Sequence, residues 1–317
     1  MKSLLRTPSL LLLTAGILAG CGGRSASPAA RPTPIPPSVT PSPAVTSTPT
    51  PAPLVFSLAQ RKVTVGPLDR TYYLYVPKYF APGTTVPVVF IFHGYSGEGA
   101  LMISATGFNK IADAAGFLVV YPDGTGPAGR LSWNAGGCCG SAAAGNVDES
   151  AFVGEILRDL ADAGAAVDPD RIYAAGFSNG GMLSYRLACD MSETFAAVAP
   201  VAGILLVDAC RPAQPVSLLH IHGTADTVVP FTGPNPDNPA WPAVQDGITV
   251  WAGFDGCDPV PQTGRKGIAA RTVYPSCAAG SAVELYLLDG VGHQWPGEFI
   301  WPASQTIWNF FAAHPKI

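Results

Sequence analysis

The 317-residue chain is 48% hydrophobic and only 13% charged, roughly half the usual charged share of about 25%, which is too apolar for a disordered protein. Its formal charge is −4 (18 Lys+Arg against 22 Asp+Glu) and no run of basic residues occurs, which argues against a nucleic-acid binder, since such a protein needs a basic footprint to displace counterions. No apolar stretch approaches the ~20 residues of a membrane-spanning helix, and seven cysteines point to an exported protein rather than a reducing cytosol.

At the N-terminus, Lys2 and Arg6 precede an apolar stretch at 10–20 that ends in small residues, the shape of a secretory signal. Leu18-Ala19-Gly20-Cys21 resembles a bacterial lipobox. That resemblance implies cleavage before Cys21 and its conversion to the lipid-modified N-terminus of a chain attached to a membrane surface through the lipid only. Loss of Lys2 and Arg6 leaves a formal charge of −6 (16 minus 22). Residues 22–55 are dominated by Pro, Ser, Thr, Ala and Gly, and ten of the 26 residues from Pro28 to Pro53 are proline. Proline lacks the N–H and fixes φ, so this segment reads as a semi-rigid linker with sites for O-glycosylation.

Residues 56–317, without internal repeat or second linker, have the size of one α/β domain. Segments 62–65 and 72–76 read as a β-hairpin, and 86–92 is an unbroken apolar run expected of a buried parallel strand. A helix is predicted over 100–115, a strand over 117–121, a helix over 148–165 and a strand over 172–175. A helix over 182–188, strands at 195–201, 217–222 and 282–288, and a helix over 302–313 complete the pattern. Strands alternating with helices predict a mostly parallel sheet covered on both faces within one α/β domain.

The chemistry enters at Gly176-Phe177-Ser178-Asn179-Gly180. A Gly-x-Ser-x-Gly pentad between a strand and a helix fits a nucleophile elbow, which presents the serine Oγ above the sheet edge. An acid and a histidine follow in the chain order of an α/β-hydrolase. Asp226, in His222-Gly223-Thr224-Ala225-Asp226, lies on a loop after a strand, and His293 lies in a glycine-rich loop after the last strand. Asp190, Glu193, Asp255, Asp258 and Asp289 are weaker acids for this role, with Asp255 and Asp258 expected in a surface loop near a cysteine. The other histidines, His93, His220, His222 and His314, suit structural or surface roles. Phe92-His93-Gly94-Tyr95 follows the strand that leads to this fold's oxyanion loop, so the backbone N–H groups of Tyr95 and Asn179 are the expected oxyanion donors.

These segments, with Tyr185-Arg186-Leu187-Ala188-Cys189, Gly292-His293-Gln294-Trp295-Pro296-Gly297 and Trp133-Asn134-Ala135-Gly136-Gly137-Cys138-Cys139-Gly140, together resemble the secreted esterases named for polyhydroxybutyrate depolymerase. That group also holds feruloyl and acetylxylan esterases of carbohydrate esterase family 1. The resemblance covers nearly all of 56–317 and implies carboxylic-ester hydrolysis through an acyl-enzyme, on hydroxyalkanoate oligomers or on feruloyl and acetyl esters of plant-wall polysaccharide. Polymer-attacking depolymerases often carry an additional binding domain, whereas this sequence stops 24 residues after His293, so soluble oligomers or small esters are the expected substrates. Trp133, Trp241 and Trp295, with the stretch 231–241, are candidates for the substrate pocket, for which a core or lid role is the alternative.

Among the six cysteines after Cys21, the expected bridges are Cys189–Cys210 and Cys257–Cys277. Cys138 and Cys139 are open to bridging each other or pairing elsewhere. No CxxC pair or HExxH motif occurs, so neither metal nor cofactor is expected, and the chain is read as a monomer. An acyltransferase or peptidase using the same three residues, or a catalytically silent surface-binding lipoprotein, are the alternative readings.

Overall fold

The computed structural model describes residues 54–81 and 83–316. Cys21 and nearly all of the proline-rich linker lie outside the described residues. Ten strands form one mixed sheet, and its first three are β1 (Ser57–Val65), β2 (Leu68–Val76) and β3 (Thr85–Phe92). They are followed by β4 (Leu118–Pro122), β5 (Ala166–Phe177), β6 (Ala197–Val201), β7 (Ser217–Gly223), β8 (Gln262–Lys266), β9 (Ala269–Tyr274) and β10 (Val283–Leu288). Their spatial order is β1-β2-β4-β3-β5-β6-β7-β10-β9-β8. The six central strands from β4 to β10 run parallel, and antiparallel pairs close both edges.

Seven helices connect these strands: α1 (Gly99–Thr106), α2 (Phe108–Ala115), α3 (Gly140–Ala144), α4 (Glu149–Asp162), α5 (Asn179–Asp190), α6 (Val244–Phe254) and α7 (Ala303–Ala313). Successive residues of a strand point to opposite faces, and β3 shows it. Val88, Phe90 and Phe92 join a core with Phe152 of α4, Leu183 of α5 and Trp251 of α6. Val89 and Ile91 face the other way, into a core with Met102 of α1, Phe108 of α2 and Phe311 of α7. Both faces are apolar because both are covered, which is why 86–92 reads as an unbroken hydrophobic run.

The helix expected over 100–115 is two helices. Gly107 breaks it with φ 65° and serves as the boundary residue of both. β5 extends well beyond 172–175 in both directions, and α5 starts directly after the elbow serine. α3, α6 and the β8–β9 hairpin were not among the expected elements. The bridges Cys189–Cys210 and Cys257–Cys277 are present, and Cys138 is bonded to Cys139.

Candidate active site

The elbow forms because β5 must turn sharply into α5. Ser178 takes φ 54° and ψ −118°, a region that residues with a side chain rarely occupy. It is held there by its N–H, which donates to Val201 O at 2.8 Å, and by its carbonyl, which accepts from Met182 N at 2.9 Å. The flanking glycines answer to space. A Cβ on Gly176 would sit 2.2 Å from Gly180 O, and one on Gly180 would sit 2.4 Å from Phe92 O. β5, the turn and the end of β3 therefore pack backbone to backbone only with glycine at both positions.

His293 bridges the two partners. Its Nε2 lies 2.9 Å from Ser178 Oγ and its Nδ1 lies 2.8 Å from Asp226 Oδ2, while its ring packs on Phe177, with centroids 4.8 Å apart. Asp226 Oδ1 accepts from the backbone N–H groups of Val228 and Val229 at 2.9 and 2.8 Å. Burial opposes the charge on Asp226, but the hydrogen bonds from His293 and Val229 outweigh it and hold the carboxyl below its ordinary range. Asp226 is thus an anion that fixes the Nδ1–H tautomer of His293 and leaves Nε2 free to take the serine proton.

Tyr95 follows Gly94 in the loop after β3, and Asn179 follows the serine directly. A Cβ on Gly94 would be 3.3 Å from Ser178 Cβ, so the 93–95 loop runs directly past the nucleophile. Asn179 is the first residue of α5, whose backbone N–H has no partner within its own helix.

Beneath this surface the segment 133–139 acts as a strap. Trp133 N–H donates to Asn179 Oδ1 at 2.8 Å, Asn179 Nδ2 donates to Trp133 O at 3.2 Å, and the Trp133 indole N–H donates to His93 O at 2.8 Å. The elbow and the 93–95 loop are therefore both tied to one tryptophan. Next along the strap, Asn134 N–H donates to Glu149, which forms a buried ion pair with Arg70 at 3.1 Å. Burial pushes the Glu149 carboxyl up and the Arg70 guanidinium down, each against the attraction of its partner. Trp133 is fully buried and offers no ring face to a ligand, so its place is structural rather than in a pocket wall. Trp295 is half-buried, and its indole N–H donates to Ser304 Oγ at 3.0 Å, which anchors the His293 loop to α7. Trp241 lines a cavity of about 480 Å³ together with Leu205, Leu206, Val207, Pro242, Asp208 and Asp237. Ser178, Asp226 and His293 do not line this cavity.

A second buried chain lies behind the acid. Val229 O can only accept, so the 2.8 Å contact places a proton on His222 Nε2 and leaves its Nδ1 bare. His220 Nε2–H must then donate to that Nδ1 at 3.0 Å, and the Tyr185 hydroxyl must donate to His220 Nδ1 at 2.8 Å. Burial drives both imidazoles towards the neutral form that this chain needs. Tyr185 belongs to the helix that carries Ser178, so the chain joins the nucleophile's helix to the acid's loop. The alternation of His220 and His222 on one strand face was the available sequence signal for it.

Asp255, expected in a surface loop, is fully buried at the end of α6, because its Oδ1 accepts from Val216 N–H at the start of β7 at 3.1 Å. Asp190 and Asp289 are engaged by Arg186 and Arg265.

The model for the family described as Esterase PHB depolymerase matches residues 70–242. The chain belongs to this esterase family. Feruloyl esterase B of Piromyces equi is 32% identical over 228 residues, which cover 68% of this chain and 41% of that protein. NocK of Nocardia uniformis subsp. tsuyamanensis, which carries the name of an esterase, is 32% identical over 75% of this chain and 74% of its own. The chain thus spans less than half of the first relative and about three quarters of the second. The structure of an acetyl xylan esterase from Aspergillus awamori superimposes with a TM-score of 0.60 at 18% identity, over 80% of this chain and 99% of that one. It shares the α/β-hydrolase fold. The family match ends before His293, so the place of His293 in this site rests on the hydrogen bonds above.

Proposed function

We propose that the chain is an exported serine carboxylesterase acting through an acyl-enzyme. The observation that carries this reading is His293 held between Ser178 Oγ and Asp226 Oδ2 at hydrogen-bond distance on a strained elbow. Ser178 Oγ gives its proton to His293 Nε2 and attacks the ester carbonyl, and Asp226 stabilises the imidazolium. The backbone N–H groups of Tyr95 and Asn179 receive the oxyanion. His293 then protonates the leaving alkoxide, the acyl group stays on Ser178, and a water activated by the same imidazole releases the acid and restores the serine.

The substrate class is feruloyl or acetyl esters of plant-wall polysaccharide. It is supported by sequence relatives named for those esters. The lipobox at Cys21 and the linker at 22–55 support export with attachment through lipid, and the catalytic unit is proposed to work as a monomer. The test is kcat/KM on methyl ferulate beside a soluble 3-hydroxybutyrate oligomer. Preference for ferulate is expected, and preference for the oligomer would move the assignment to polyester hydrolysis.

A further inference from the structure

An open groove of about 780 Å³ lies between the β8–β9 hairpin and the start of α7, within the size range of ligand sites. The charged residues lining it are Arg265, Lys266 and Arg271, and no carboxylate lines it. This runs against the charge of the surrounding protein. Residues 54–316 hold 14 Lys+Arg (18 less Lys2, Arg6, Arg24 and Arg31) against all 22 Asp+Glu, a balance of −8. Tyr286 and Trp301 also line the groove, their rings 4.9 Å apart at 44°, and the Arg271 guanidinium stands 5.8 Å from the Tyr286 ring. Glu284 and Asp289 pair with Arg271 and Arg265 from outside the lining, while Lys266 has no ion-pair partner among the described residues. Neither the triad nor the 93–95 loop contributes to it.

We infer that this groove is a second, non-catalytic binding site for a polysaccharide carrying uronic acid residues. Pyranose rings present C–H faces that pack on aromatic rings. Their carboxylates would meet Lys266, the lining cation without an ion-pair partner among the described residues, and the N–H groups of Arg265 and Arg271 that do not face Asp289 and Glu284. An acidic chain needs such a locally positive groove to approach a protein of this net charge. The groove is open to solvent, which suits a segment of a long chain rather than an enclosed small molecule. The inference stands whichever ester Ser178 cleaves, and its test reads binding without turnover.

The full chain is titrated at low salt with polygalacturonate, with neutral xylan, which has rings but no charge, and with polyglutamate, which has charge but no rings. Binding of polygalacturonate is expected to exceed both controls and to weaken as salt screens the charges. Lys266→Glu, on the exposed hairpin turn, is expected to reduce that binding about tenfold or more, and Trp301→Ala to reduce it independently. Hydrolysis of p-nitrophenyl acetate by Lys266→Glu should be unchanged, which shows that the variant is folded. Equal binding of xylan or of polyglutamate, or full binding by Lys266→Glu, would overturn the inference.

Discussion

Asn179 and Trp133 hold one another from both sides of a side-chain amide: the Trp133 N–H donates to Asn179 Oδ1 at 2.8 Å and Asn179 Nδ2 donates back to Trp133 O at 3.2 Å. Both residues are buried. The residue after Ser178 is therefore proposed to have two tasks, its backbone N–H receiving the oxyanion and its side chain fixing where that N–H points.

Asn179→Ala strands the buried N–H of Trp133, whose carbonyl still accepts from Cys139 N–H at 3.0 Å. An unpaired buried polar group costs about 1–3 kcal/mol, so a lower Tm is expected, with a fall in kcat larger than any rise in KM. Thermal unfolding and steady-state kinetics on one small ester check both parts.

Ser178→Ala and His293→Ala should each remove most of kcat, and the double variant should lose little more, because groups acting as one unit are strongly non-additive. A double variant whose loss equals the product of the two single losses would show that the residues act separately.

His222→Phe keeps volume but removes the N–H that fixes Val229, whose own N–H holds Asp226. A displaced acid loop is expected to lower kcat/KM by about tenfold to a hundredfold while Ser178 and His293 remain intact. His220→Phe, one step further from Asp226, should lose less. Equal kcat/KM for His222→Phe and the parent chain would remove the chain of imidazoles from the account.

Asp255 sets a pH dependence of stability. Burial pushes its carboxyl up to about 7, above its unfolded value of about 4. Between those values the native chain holds a proton that the unfolded chain has released, so stability falls as pH rises through that window. Three units correspond to a loss on the order of 4 kcal/mol. Asp255→Asn should flatten the fall of Tm between pH 4 and 7, as a pH series of melting curves would show.

The parts of the fold that sequence conveyed were those where local pattern and tertiary need coincide. The run at 86–92 is apolar because both its faces are covered, and the two glycines of the elbow are required by backbone contacts of 2.2 and 2.4 Å for any added Cβ. Asp226 and His293 could be placed because each lies on a loop directly after a strand. Elsewhere the local signal was absent or misleading. β8 is exposed along its whole length, without alternation, and exists through its pairing with β9. α6 does carry apolar residues at Val244, Ile248 and Trp251, a helical spacing that the preceding proline-rich stretch obscured. The burial of Trp133 and Asp255 depends on partners 46 and 39 residues away, Asn179 and Val216, which no local pattern reveals.

Ser178 is proposed as the nucleophile of an ester hydrolase. Labelling the full chain with a fluorophosphonate, followed by peptide mapping and residual turnover of p-nitrophenyl acetate, tests it most directly. Modification at Ser178, loss of turnover in proportion to labelling, and no labelling of Ser178→Ala at that peptide are expected. Turnover that persists with Ser178 fully modified, or labelling confined to another residue, would contradict it.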